Sequence, residues 1–210
     1  MDYLEGGNLA DYINKKNGRI SLYEAVRIIS YVFSALKDCH SIGLCHTDIS
    51  PQNILLTEND IPVLIDFGSA RQLVGVETRS LDIMITPGFS PLEQYISNGN
   101  IGPWTDVYSC GALLYYMITG NDLPPSIDRV YEMQSLEMPQ INMLNIKIWN
   151  VILNACAIKI DDRIKSIAKF ENELNDAIEV GNKKEKHKNS TNNWFSWIKN
   201  IFQGRVGVKP

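Results

Sequence analysis

The sequence predicts a mainly α-helical (α+β) domain that carries one or two short β-hairpins, and three observations predict it. Apolar residues recur at helical spacing over 22–36, the stretch 105–119 is apolar nearly all round, and the β-type runs between them, Ile54-Leu55-Leu56 and Val63-Leu64-Ile65, are short. Apolar content of 44% and charged content of 21% over 210 residues are ordinary for a globular chain with one substantial core.

Residues 8–16 predict a short first helix. Ser21-Leu22-Tyr23-Glu24 reads as a capping box, with Ser21 covering free backbone N–H groups and Glu24 reaching back. The helix behind it sets Leu22, Val26, Ile29, Phe33 and Leu36 on one stripe and ends near Gly43. The two β-type runs flank the turn-rich Thr57-Glu58-Asn59-Asp60 and therefore read as a hairpin. An antiparallel pairing sets Asn53 and Asp66, at its outer ends, side by side. From Ser69 to Ser90 the pattern is irregular. The helix at 105–119 has no polar face for water, so it is buried; it is too short to span a bilayer and ends at Gly120. Pro124 and Pro125 interrupt the next stretch, and further helices are expected near 128–134, 145–157 and 166–178.

Charge divides the chain. Residues 182–210 hold seven Lys/Arg and one Glu, a net +6, so a total of −4 leaves −10 on the remainder. An acidic folded part offers no broad surface for nucleic acid. The expected organisation is a domain over 1–178, a basic polar linker over 179–193 and an amphipathic aromatic tail over 194–210. The tail sets Trp194, Trp197, Ile198, Ile201 and Phe202 at helical spacing, a pattern that suits a membrane interface, a partner or the chain's own domain, and peripheral membrane contact through 194–202 is one expectation. Cys39, Cys45, Cys110 and Cys156 form no C-x-x-C pair and read as small buried residues. Residues 1–10 are acidic with two glycines and do not resemble a signal peptide, which fits a cytoplasmic location.

The chemistry concentrates in His46-Thr47-Asp48-Ile49-Ser50-Pro51-Gln52-Asn53 and in Asp66-Phe67-Gly68. Together they offer a base (Asp48), an amide (Asn53) and a second carboxylate (Asp66). Phosphoryl transfer needs one group to orient the attacking hydroxyl and oxygen ligands to hold Mg²⁺ against a triphosphate. H-x-D alone is a weak signal; its value lies in the ordered elements around it.

These residues resemble the catalytic loop and D-F-G element of protein kinases. Thr86-Pro87-Gly88-Phe89-Ser90-Pro91-Leu92-Glu93 looks like the end of an activation segment, and Asp106-Val107-Tyr108-Ser109-Cys110-Gly111 like the start of the buried central helix of the kinase C-lobe. Asp161-Asp162-Arg163 supplies the arginine that pairs with the segment's glutamate, here Glu93, and residues 1–9 are similar to the hinge. I-S-P, P-L-E-Q-Y and G-P-W-T-D-V-Y resemble bacterial, eukaryotic-type serine/threonine kinases. The resemblance implies a C-lobe fold, ATP and Mg²⁺ as cofactors, and a protein bearing Ser or Thr as substrate. It makes Asp48 the catalytic base, Asn53 and Asp66 the metal ligands, and Leu4 and Leu55 part of the adenine-facing surface. His46, Asp106, Glu93 and Arg163 take structural roles.

The sequence also departs from the family. It contains no glycine-rich loop, no lysine strand and no partner-glutamate helix, so it corresponds to the C-lobe from the hinge to the last helix, and a partner covering the adenine-facing side is expected. Thr47 replaces the arginine that receives a loop phosphate in many kinases, so Thr78 and Ser80, in the activation loop, lack that phosphate partner. Ser50 replaces the lysine at the transferring phosphoryl group, and Thr86 stands where another cation compensates in that variant. Two rival readings remain: an inactive pseudokinase or scaffold, and a small-molecule phosphotransferase of the aminoglycoside or choline type, which shares H-x-D-x-x-x-x-N but not D-F-G.

Overall fold

A computed structural model describes residues 7–72, 85–131, 136, 138–141 and 144–185. Leu4, Thr78, Ser80 and the tail 194–210 lie outside the described residues. Helices dominate: α1 (Leu9–Lys15), α2 (Leu22–Ser41), α3 (Pro103–Thr119), α4 (Ser126–Tyr131), α5 (Ile146–Ala155) and α6 (Ile167–Glu185). Four short strands, β1 (Leu44–Cys45), β2 (Ile54–Leu56), β3 (Pro62–Leu64) and β4 (Arg71–Gln72), form two antiparallel pairs.

The α2 stripe is the inner wall of the core. Leu22, Val26, Ile29, Phe33 and Leu36 are all buried, and Phe33 meets Phe170 of α6 with ring centroids 5.0 Å apart. Ser21 caps α2, its Oγ accepting from Glu24 N at 3.2 Å. The second half of the expected box is not made: the Glu24 carboxylate accepts instead from the Tyr12 hydroxyl of α1, a tertiary partner that local spacing does not reveal. Helix α3 is buried on nearly every side, as its composition requires. It begins at Pro103, ahead of the expected residue 105, because proline suits a first turn whose N–H has no intrahelical partner. It ends at Gly120, whose φ of +78° favours glycine. A Cβ on Gly111 would lie 2.7 Å from Cys156 Sγ, so glycine permits the close crossing of α3 and α5.

Helix α4 begins at Ser126, two residues before the expected start, and α5 spans two residues less than 145–157 at its C-terminal end. Helix α6 runs to Glu185 instead of ending at 178; a single interior glycine, Gly181, costs about 1 kcal/mol and does not stop a helix. The hairpin pairs Ile54 with Leu64, Leu55 with Val63 and Leu56 with Pro62. The second pair joins Leu44 to Gln72 and Cys45 to Arg71, closing the chain around the segment 46–70. Among the described residues no helix is long and apolar enough to cross a membrane.

Candidate active site

The loop between β1 and β2 is suspended from the first turn of α3. Asp106, fully buried, accepts from Thr47 N at 2.8 Å through Oδ1 and from His46 N at 2.9 Å through Oδ2. His40, near the end of α2, donates its Nε2–H to the same Oδ2 at 2.7 Å. A carboxylate buried without such donors would cost several kcal/mol, so the loop amides and Asp106 stabilise one another. His40, Cys45 and Asp106 bring ligand-type atoms within 4.8 Å, but Asp106 is already engaged by three donors, and the cluster reads as a hydrogen-bond network. Burial, reinforced by the Asp106 charge, pushes the Cys45 thiol up to about 12.

His46 is locked internally. Its Nε2–H donates to Ile65 O at 3.0 Å, its Nδ1 accepts from Asp48 N at 3.3 Å, and its ring meets Phe67 edge-on at 4.6 Å. Both ring nitrogens are occupied, which holds the imidazole against the loop that carries Asp48.

Asp48 sits where three segments meet. Its Oδ1 accepts from Thr86 Oγ1 at 2.8 Å, and its Oδ2 accepts from Asn53 Nδ2 at 2.7 Å. Asn53 Nδ2 also donates to Asp48 O at 2.8 Å, so the amide is held through its nitrogen. Its carbonyl oxygen then accepts no hydrogen bond among the described residues. Ile65 N donates to Asn53 O at 2.9 Å, which brings Asp66 beside Asn53 at the hairpin's open end. Asp66 has φ +63° and ψ +74°, a left-handed conformation that aspartate tolerates, and its Oδ1 accepts from Gly68 N at 3.1 Å. The Asn53 amide oxygen and the Asp66 carboxylate are oxygen donors of the hard kind that Mg²⁺ takes. Ser50 is buried and makes no side-chain hydrogen bond among the described residues, and no described cation bonds Asp48. Leu55 is half-buried in β2, flanked by a bridge to Asn8.

Glu93 and Arg163 hold the far side. Arg163 Nη1 donates to Glu93 Oε1 at 2.6 Å and Nη2 to Oε2 at 3.1 Å. Its remaining N–H groups reach Ala157 O, Trp104 O and Ile158 O, so all five are used. Gly99 lies directly over Glu93, where an added Cβ would fall 1.7 Å from the Glu93 carbonyl oxygen.

Three participants are not evident from the sequence: His40, Ser69 and Gln94. Gln94 is buried and donates Nε2 to Thr47 O at 2.7 Å, while Thr47 Oγ1 donates to Ser69 O at 2.7 Å. Only adjacency to Glu93 and to the D-F-G element marks Gln94 and Ser69.

The protein kinase domain matches over residues 1–194. The chain is 30% identical over 121 residues to serine/threonine-protein kinase PknL from two strains of Mycobacterium tuberculosis and from Mycobacterium bovis. Those matches cover 58% of this chain and 30% of the relatives' length. With the family match spanning nearly the whole sequence, this chain belongs to the protein kinase domain family.

Proposed function

We propose that the chain supplies the catalytic face of a serine/threonine protein kinase, which moves the γ-phosphoryl group of ATP to a protein hydroxyl. The observation that carries this reading is the double restraint on Asp48 by Thr86 and Asn53, at 2.8 and 2.7 Å. A carboxylate fixed on two sides keeps lone pairs free to orient an incoming hydroxyl and take its proton as the O–P bond forms. Asn53 and Asp66 would hold Mg²⁺, which when bound neutralises charge developing on the phosphate oxygens. Thr86 supports a Ser/Thr acceptor over Tyr through its resemblance to the threonine that Ser/Thr kinases place near the catalytic aspartate. Leu4 and Leu55 would line the adenine side.

A second lobe, from elsewhere in the protein or from a partner, would cover the nucleotide's other side. The scaffold reading draws on one observation, the absence of a described cation bonded at Asp48. Phosphate transfer from ATP to casein by the full-length protein separates the two. The kinase reading expects transfer that Asp48→Asn reduces by about 10²–10⁴-fold with the fold retained by circular dichroism. Transfer absent in the wild type, or indifferent to Asp48→Asn, favours the scaffold.

A further inference from the structure

A cavity of about 700 Å³ lies at the opposite end of the domain from Asp48, where α2 begins and α3 ends. Ile20, Leu22, Ile118 and Ile141 contribute apolar groups to its lining, the first three of them largely buried, beside the polar Asn17, Ser21 and Gln140 and the exposed Lys16 and Arg19. The loop 16–20 is fastened to α3 by Ile20 N donating to Met117 O at 2.9 Å, so the cavity has a fixed floor.

Helix α6 leads toward this end. It starts just after Arg163, which donates to Trp104 O at the head of α3. Its Ala177 O then accepts from Asn145 Nδ2 at the head of α5, at 3.5 Å. Helix α5 runs antiparallel to α3, since Trp149 meets the Tyr115 ring while Ala155 and Cys156 meet Gly111. Asn145 therefore lies toward the end of α3 and four residues from Ile141 of the cavity wall. The eight residues after Ala177, to Glu185, continue that course for roughly 12 Å. Residues 186–193 then span up to roughly 28 Å when extended, before Trp194.

We propose that the segment 194–202 of the same chain docks in this cavity. Its Trp194, Trp197, Ile198, Ile201 and Phe202 form an apolar stripe at helical spacing that needs cover. The apolar groups of the lining lie within reach, and the exposed Lys16 and Arg19 beside them suit indole faces, as Lys16 already lies over the Tyr12 ring at 5.4 Å. Charge gives the proposal a signature. Docking would bring the basic residues 183–188 toward Lys16 and Arg19, so salt screens a repulsion and docking holds or tightens as salt rises. Adsorption of the same tail to an anionic membrane weakens with salt.

Hydrogen exchange on the full chain tests this. Trp194→Asp with Trp197→Asp should raise exchange of the backbone amides at 16–23 by about tenfold and leave those at 170–178 unchanged. Ile141→Arg, which fills the cavity from its lining, should raise acrylamide quenching of tryptophan emission with the tail intact. Both effects should persist at 0.5 M NaCl (~4 Å screening length) and be independent of protein concentration. Unchanged exchange at 16–23 overturns the proposal. So does protection that grows with concentration, which means a second copy's tail. A tail whose emission shifts only on phosphatidylglycerol vesicles, and reverts with salt, assigns it to a membrane instead.

Discussion

The Thr47 hydroxyl donates to the Ser69 carbonyl at 2.7 Å, joining the loop that carries Asp48 to the residue after Asp66-Phe67-Gly68. Ser69 answers with its own hydroxyl, donated to His46 O at 3.3 Å. Thr47 is bonded at every polar atom, since Asp106 takes its N–H and Gln94 donates to its carbonyl. It holds this position with φ +64°, a conformation costly for a β-branched residue unless its surroundings fix it.

Thr47→Val keeps the shape and removes the donor. It leaves the Ser69 carbonyl short of a partner in a partly buried site, which costs about 1–3 kcal/mol. Thr47→Ser retains the donor and should restore most of that loss, along with slow exchange of the amides at 68–72. Urea unfolding and hydrogen exchange on the three proteins check this. Equal behaviour of the valine and serine variants would show that the hydroxyl contributes nothing.

Arg163 uses all five of its N–H groups, two of them on Glu93 in a parallel fork. Lysine has three donors and no fork, so Arg163→Lys strands the buried Glu93 carboxylate. The expected loss is about 3–5 kcal/mol in urea unfolding, with Glu93→Gln similarly harmful. A loss below about 1 kcal/mol would contradict a buried pair of this kind.

Much of this was legible in the sequence where one segment decides its own structure. The stripe from Leu22 to Leu36 and the unbroken apolar surface of 105–119 each have only one way to be buried, and both lie in the core. The hairpin at Ile54–Leu56 and Pro62–Leu64 was readable from its turn, although β3 lies one residue earlier than expected. Partners joined across long sequence distances were not readable. His40 reaches Asp106 over 66 residues, and Gln94 reaches Thr47 over 47, with nothing in either neighbourhood to announce the meeting. The ribbon of Leu44–Cys45 with Arg71–Gln72 is too short to have a periodicity, and Tyr12 takes Glu24 from its capping box.

Alkaline pH should destabilise the domain earlier than tyrosine ionisation would. Burial raises the Cys45 and Cys156 thiols to about 12 and carries Cys110 well above 9.0. In the unfolded chain these thiols ionise near about 8.5, so above that pH the unfolded state holds fewer protons than the native one. Stability is then fully present below about pH 8.5 and falls toward pH 12, by about 1.4 kcal/mol per pH unit for each such thiol. Urea midpoints should be flat from pH 7 to 8 and decline from pH 9 to 10.5, with a smaller decline in Cys45→Ala. A midpoint that stays level to pH 10.5 would contradict protonated, buried thiols.

The proposed function stands on Asp66 and Asn53 forming one Mg²⁺-nucleotide site beside Asp48, which a ³¹P NMR titration of ATP with the full chain, with and without Mg²⁺, probes at the phosphates themselves. The expected result is Mg²⁺-dependent broadening of the phosphate resonances that is lost in both Asp66→Asn and Asn53→Ala and kept in Asp48→Asn. Broadening that needs no Mg²⁺, or that survives both ligand substitutions, would contradict it.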